Sequence, residues 1–302
     1  MKKIDVHVHT HEYDGAQIKK IVGGKPDDYA TPVELKAMYE KLGVDKAVLL
    51  PELFPECGYS MVSNETIQEI AEKYHDMFYW FCNIDPRAGG NSPDTDLSHF
   101  ILYYKKLGAK GIGEVVPNLY MDDPLVDNLF YHAAACDMPV TIHIAPQKYE
   151  CYGLIDDLGL PRMEKMLKKH PKLKLFGHSQ PFWAEISTNV TEENRNDYPE
   201  GKVVPGRLYE LFQNYENLYG DLSAGSAYNA LTRDEEFGYR FIEEFQDRLL
   251  YGTDICSPTN DMPLSFWLDR AFESGNISEQ AYRKVCHENA IRILKLDAPL
   301  EG

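Results

Sequence analysis

The sequence is short of basic charge, of paired cysteines and of long apolar runs. Among its 302 residues, 31 are Lys or Arg and 48 are Asp or Glu, giving a formal net charge of −17 with His neutral. Its most concentrated basic stretch, EKMLKKHPKLK, has no more than two adjacent lysines. Nothing therefore offsets a field that repels nucleic acid phosphates and anionic membrane surfaces. No segment approaches the ~20 consecutive apolar residues of a membrane span; DKAVLLPELF and DRLLYGTDI are too short and too interrupted. The opening MKKIDVHVHTHEY lacks the apolar stretch and small-residue cleavage site of an export signal, and reads as a mature N terminus. The six cysteines (Cys57, Cys82, Cys136, Cys151, Cys256 and Cys286) form no CxxC pair, and a chain of this size needs no disulfide staples. The expectation is a soluble cytoplasmic protein with reduced thiols. No glycine-rich phosphate loop follows the first strand-like run, which argues against a doubly wound nucleotide-binding sheet; the glycines of GAKGIGEV sit largely before or inside a strand.

What is present is a rhythm. Short β-branched or aromatic runs at 2–8, 45–51, 77–85, 109–115, 138–145, 173–179, 217–223 and 248–255 alternate with helical stretches, the pattern of βα units and a parallel sheet. Helices are expected over 31–42, 63–75, 94–107, 124–137, 158–170, 205–215, 234–246, 263–273 and 278–296. Thr31, Pro32 and Glu34 spell a capping box at the start of the first. Eight strands with eight crossovers in this length match an α/β (β/α)8 TIM barrel. We read residues 1–302 as one such domain with rim insertions near 10–30, 51–63 and 180–203 and an additional C-terminal helix. The polar 180–203 segment reads as a lid or rim loop.

The chemistry gathers at strand ends. His7 and His9 are two apart and share one face of a strand; such a pair is poor core material unless it shares a cation or a proton. His143 ends the fifth run, His178 the sixth and Asp254 the eighth, so four imidazoles and a carboxylate converge at one barrel mouth. That mix of N and O ligands suits zinc and neighbouring divalent metals. Glu114 is the one acid in the fourth run, and a buried carboxylate should meet a cation. It either ligates, salt-bridges an arginine or holds a ligand histidine. With Glu114 and His178 ligating, two ions fit and Glu114 bridges them; otherwise one ion uses His7, His9, His143 and Asp254.

These residues resemble the amidohydrolase superfamily, closest to the amidohydrolase-related branch that includes aminocarboxymuconate semialdehyde decarboxylase. IDVHVHT is similar to its strand-1 HxH, MPVTIHIA and KLFGHSQ to its strand-5 and strand-6 histidine segments, and LLYGTDI to its strand-8 element. The resemblance implies metal ligands at His7, His9 and His143, with Asp254 binding metal or its water while accepting a proton. It leaves His178 as second-ion ligand or catalytic group and Glu114 as bridging or non-ligating. The implied cofactor is one or two divalent ions, zinc first and manganese second. The implied reaction is hydrolysis of an ester, lactone or amide bond of a small molecule through metal-activated water. The alternative is non-oxidative decarboxylation or hydration of a small aromatic or unsaturated acid. An anionic substrate would call on Arg87 or Arg233, though either can instead pair with surface acids. Trp183, Phe182 and Tyr120 are read as packing rather than pocket walls, and His11 as an exposed loop histidine. No nucleic acid or membrane partner is expected, and a homodimer is compatible with the resemblance.

Overall fold

The computed structural model describes residues 2–12, 29–56 and 61–297. Parts of the expected 10–30 and 51–63 rim loops, and Cys57, lie outside those residues. In chain order the first half comprises β1 (Lys3–Val8), α1 (Pro32–Leu42), β2 (Val44–Leu49), α2 (Asn64–Lys73), β3 (Phe78–Trp80), α3 (Ser98–Lys106), β4 (Ile112–Val115), α4 (Pro124–Ala135) and β5 (Val140–Ala145). The second half comprises β6 (Leu154–Ile155), α5 (Pro161–Lys169), β7 (Leu175–His178), α6 (Gln180–Ala184), α7 (Arg207–Asn214), β8 (Leu218–Asp221), α8 (Ala224–Thr232), α9 (Glu235–Phe245), β9 (Leu249–Leu250), α10 (Pro263–Glu273), α11 (Glu279–Arg283) and α12 (Asn289–Leu294). The capping box at Thr31 forms as its spelling requires, with the Thr31 hydroxyl accepting from Glu34 N–H and the Glu34 carboxylate accepting from Thr31 N–H. Such a cap is worth about 1 kcal/mol.

All named strand pairs are parallel, in the orders β1-β2-β3 and β4-β5-β7-β8-β9, with β6 beside β5. The ladder is not continuous round the ring. Its two seams are crossed by single parallel bridges, Cys82 with Ile112 and Val8 with Ile255, and by backbone hydrogen bonds such as Val6 N–H to Tyr251 O and Gly113 N–H to Cys82 O. The architecture is the expected TIM barrel. The eighth run shrinks to Leu249–Leu250 because the chain leaves the ladder and returns only at Ile255. The expected 278–296 helix is interrupted by a π-turn at Lys284–Glu288. The sequence reading missed the short α6 and the small-residue α8, neither of which has much apolar contrast.

The core divides into two layers. An outer cluster packs the helices on the strands, while an inner one gathers Ile4, Val6, Val48, Phe81, Phe176, Tyr219 and Leu250 with Ala290, Ile293 and Leu294 of the closing helix. Strand alternation turns residues two apart to one face. His178 follows Phe176, and Asp221 follows Tyr219, by two positions, so a polar layer stands on the inner apolar plug. In β1 the pairing with β2 shifts between Asp5 and Val8; Val6 joins the inner cluster and Val8 the outer one. The shift leaves His7 and His9 flanking Val8 in the polar layer.

The 187–203 segment is a pinned rim strap. Arg195 is fully buried and donates from Nη1 to Asp156 O (3.0 Å) and from Nη2 to Asp157 O (3.3 Å). Phe182 and Trp183 are core residues, as expected. Among the described residues no helix is long and apolar enough to cross a membrane, and Cys82, Cys136, Cys151 and Cys286 are free thiols.

Candidate metal centre

β1 delivers His7, and the residue pair beyond its end delivers His9; β4 delivers Glu114, and β5 and β7 deliver His143 and His178. His143 and His178 stand at the same register of their paired strands. Asp254 lies between β9 and the bridge at Ile255, in a left-handed backbone conformation (φ 56°), and its N–H donates to His7 O at 2.7 Å. All six expected residues come together as three overlapping groups: His7, His9 and Glu114; His7, His178 and Asp254; Glu114, His143 and His178. The candidate ligand atoms of each group lie within 4.8 Å of one another.

The two carboxylates each face two ways. Glu114 Oε1 lies 2.9 Å from His143 Nδ1 and 3.9 Å from His178 Nε2, while its Oε2 lies 3.8 Å from His7 Nε2 and 3.9 Å from His9 Nε2. Asp254 Oδ1 is 3.5 Å from the Nε2 atoms of both His7 and His9, and Oδ2 is 3.5 Å from His178 Nε2. Of the open alternatives for Glu114, the hydrogen bond to a candidate ligand histidine is formed, and among the described residues no arginine reaches it.

The ring partners test whether a cation fits. His9 Nδ1 donates to the Leu50 carbonyl at 3.2 Å, and His7 Nδ1 donates to Asp221 Oδ2 at 2.6 Å. With both Nδ1 atoms protonated, the Nε2 atoms of two neutral rings carry lone pairs, and these face each other at 3.1 Å. The arrangement requires positive charge between or beside them, either a shared proton or a metal ion. Without a metal the proton takes that role. Burial opposes the charged form of His7, but the Asp221, Asp254 and Glu114 carboxylates outweigh it and push the ring up to about 10. Burial likewise works against ionised Glu114 and Asp254, and the imidazoles around them win, holding both carboxyls below their usual range. His178 is raised because its bond to Asp254 outweighs burial, whereas burial lowers His143. The donor set and its charge balance fit a divalent ion.

Three supporting residues were not found from sequence. Asp221 orients His7, and its other oxygen accepts Ser223 N–H at 3.1 Å. Ser223 Oγ in turn bonds His178 Nδ1 at 2.9 Å. The signal was available, since Asp221 is the one acid in NLYGDLS, as Glu114 is in its own run. Asp5 latches β1 to the Asp254 segment by accepting from His7 N–H, Thr253 N–H, the Thr253 hydroxyl and the Tyr39 hydroxyl. Burial raises its carboxyl to about 6 despite these donors.

The expectation for His11 needs correction, while Arg87, Arg233 and Tyr120 take places the sequence left open. His11 is buried, not exposed, and its ring stacks on Tyr29 with centroids 5.7 Å apart. Arg87 is spent in a two-pronged bond to Asp85, both contacts 2.8 Å, and Arg233 donates to Pro199 O at 2.9 Å. Neither lines the cavity of about 680 Å³ that opens beside His143 between Tyr149, Tyr152 and Gln180. Tyr120 lies away from that cavity beneath the Arg162 guanidinium, 4.6 Å from its ring centroid.

A family profile described as Amidohydrolase matches residues 4–296, so the chain belongs to the amidohydrolase family. Comparison with curated proteins gives no significant sequence match. Solved structures share the fold over the whole length. An uncharacterized TIM-barrel protein from Bordetella bronchiseptica aligns at 17% identity and TM-score 0.66, covering 98% of this chain and 99% of that one. A probable 2-pyrone-4,6-dicarboxylic acid hydrolase from Acinetobacter baumannii aligns at 13% identity and TM-score 0.61, covering 98% and 100%. A 2,6-dihydroxybenzoate decarboxylase from Rhizobium aligns at 17% identity and TM-score 0.58, covering 99% and 100%.

Proposed function

We propose that this amidohydrolase-family chain is a metal-dependent hydrolase, cleaving an ester, lactone or amide bond of a small molecule with water. The observation that carries the reading is the position of Asp254. One of its oxygens faces the His7–His9 pair and the other faces His178, each at 3.5 Å. Its side chain is 27% exposed, the most open of the six. It can therefore meet both the cation-seeking centre and an arriving substrate.

Zinc is the first candidate and manganese the second, given imidazole and carboxylate donors. His7, His9 and Glu114 would hold one ion beside Asp254, and Glu114, His143 and His178 offer a second position. When bound, the ion supplies Lewis acidity and a water pKa lowered toward neutrality. The chain's own residues do the rest. Asp254, kept ionised by its imidazole neighbours, accepts the proton of the attacking water and returns it to the leaving oxygen or nitrogen. With that second position unfilled, His178, braced at Nδ1 by Ser223, presents Nε2 toward charge developing on the carbonyl oxygen. The fold relatives include both a probable hydrolase and a decarboxylase, so fold does not choose the reaction. The free thiols support a cytoplasmic setting.

The test is Asp254→Asn in zinc- and manganese-loaded protein, with metal content and turnover measured separately on ester, lactone and amide panels. Metal should be retained while hydrolysis falls by roughly 10²–10⁴-fold. Undiminished hydrolysis refutes the base role. Carbon dioxide release from aromatic acids, with no hydrolysis by the native protein, replaces the reading with a carbon–carbon lyase.

A further inference from the structure

The cavity beside the metal centre has a one-sided charge. Among the described residues its wall holds two carboxylates, Glu56 and Glu150, and no lysine or arginine. Among the described residues Glu56 Oε2 is buried and has no hydrogen-bond partner, so it is an acceptor that these residues leave unmatched. Arg87 is bound bidentate to Asp85 and stands outside the wall. Lys148 is also outside the wall, its Nζ 5.1 Å from the Tyr149 ring centroid. Glu150 is exposed at the rim of that wall, on a loop whose backbone takes an unusual shape. Tyr149 and Glu150 both adopt left-handed conformations (φ 67° and 58°), which non-glycine residues keep only when their surroundings impose them. Asn118 fixes that loop, donating to Gln147 O and accepting from Tyr149 N–H.

The metal centre adds more negative charge. Glu114, Asp254 and Asp221 are carboxylates, and Glu52 stands 3.8 Å from His9, so one divalent ion with neutral imidazoles does not neutralise the region. Tyr152 lies against His143, ring centroids 4.5 Å apart, so an aromatic surface leads outward from the centre. Gln180 and Asn196 add amide groups to the same wall.

We infer that this cavity selects an uncharged or ammonium-bearing substrate with hydrogen-bond donors at the end remote from the metal, received by Glu56 and Glu150, and discriminates against an anion there. A buried acceptor without a partner favours a donor and penalises a second acceptor, and two like charges across a partly desolvated cavity repel. The inference rests on the hydrolytic reading only in placing the reacting end of the substrate at the metal centre.

Three hydroxamic acids, which anchor on a metal by the same group, test it: 4-aminomethyl-, 4-hydroxymethyl- and 4-carboxy-benzohydroxamic acid. Their dissociation constants from the zinc-loaded protein are measured by calorimetry, so the readout does not depend on turnover. The carboxy compound should bind on the order of tenfold more weakly than the hydroxymethyl one, with the aminomethyl compound at least as tight. The Glu56→Gln, Glu150→Gln double variant should close that gap. Equal affinities, tightest binding by the carboxy compound, or a gap unchanged in the double variant each overturn the inference. Failure of all three to bind overturns the metal-centre reading and the inference with it. The predicted order in a protein that hydrolyses none of the substrate panel upholds the charge selection while removing the hydrolytic reading.

Discussion

Replacing Asp221 with Asn isolates how the site holds a cation, because Asp221 belongs to none of the three candidate ligand groups yet fixes the ring of His7. Its two oxygens are both used: Oδ2 accepts from His7 Nδ1 at 2.6 Å, and Oδ1 accepts from Ser223 N–H at 3.1 Å. An Asn amide has one oxygen, so its NH2 must face one of these donors in a fully buried position. A buried donor left unmatched costs about 1–3 kcal/mol. Loss of such an orienting partner typically weakens metal affinity about 10–100-fold, which is roughly 1.4–2.7 kcal/mol; the two figures agree. A second effect has the opposite sign. Asp221 is also the foremost carboxylate that, against burial, raises His7 to about 10, so at neutral pH a proton competes with the ion for this ring. In the metal-free protein that raised value contributes stability fully present below the ordinary histidine pKa of about 6.5 and lost as pH rises through about 10. The native protein should therefore gain zinc affinity as pH rises above about 7, by about tenfold per unit where His7 alone exchanges its proton. In Asp221→Asn the His7 value falls and the rise levels off sooner. The deficit of the variant should be small near pH 6.5 and widen toward pH 8.5. Zinc affinity is read by competition with a chelating dye at both pH values, with thermal unfolding as a check on folding. Native affinity in the variant at the higher pH would refute the orienting role, and a deficit that narrows as pH rises would refute the proton competition.

Two further expectations concern the scaffold. A Cβ on Gly177 would come within 2.2 Å of the buried Phe182 ring, so Gly177→Ala should destabilise by about 1–3 kcal/mol through overpacking and disturb β7 beneath His178; a melting curve unchanged from native would count against this packing. Asp137 bonds Lys174 and Lys295, both at 2.5 Å, and these bonds hold its carboxyl down near about 2. Its contribution is present above the ordinary Asp value of about 4 and lost as pH falls through about 2. Because Asp137 and Lys295 are substantially exposed, Asp137→Asn should cost only about 0.5–1 kcal/mol at pH 7. The cost should shrink in high salt and below pH 3; a salt-independent loss measured by chemical denaturation would contradict it.

Much of the fold was legible because its signals are local. A capping box at Thr31 and β-branched runs at regular spacing need no knowledge of the tertiary structure, and they locate α1 and most of the barrel strands. The convergence of His7, His9, Glu114, His143, His178 and Asp254 was legible because strand ends of a barrel share one mouth. What could not be read depends on loops and on irregular pairing. Nothing in the spacing says that β1 shifts between Asp5 and Val8, that Arg87 turns back on Asp85, or that His11 folds under Tyr29. Chain segments without a period carry their conformation in contacts made far along the sequence.

One signal was nonetheless present and went unused. The strand ends LFGH and LYGD repeat an order: a core aliphatic, an aromatic, a glycine, then an ionisable residue. In the barrel the two leucines join the outer cluster and the two aromatics the inner one. The glycines make room for the outer helices, since a Cβ at Gly177 would strike Phe182 and one at Gly220 would strike Trp183. The last residue then rises two positions above the aromatic, into the polar layer. Read this way, His178 and Asp221 are equivalent positions on neighbouring strands, and the pattern that points to the first points equally to the second. Asp221 is thus legible by the same strand logic as the ligand candidates, and the distinction between touching an ion and orienting a ligand is set by which neighbouring ring its carboxylate meets.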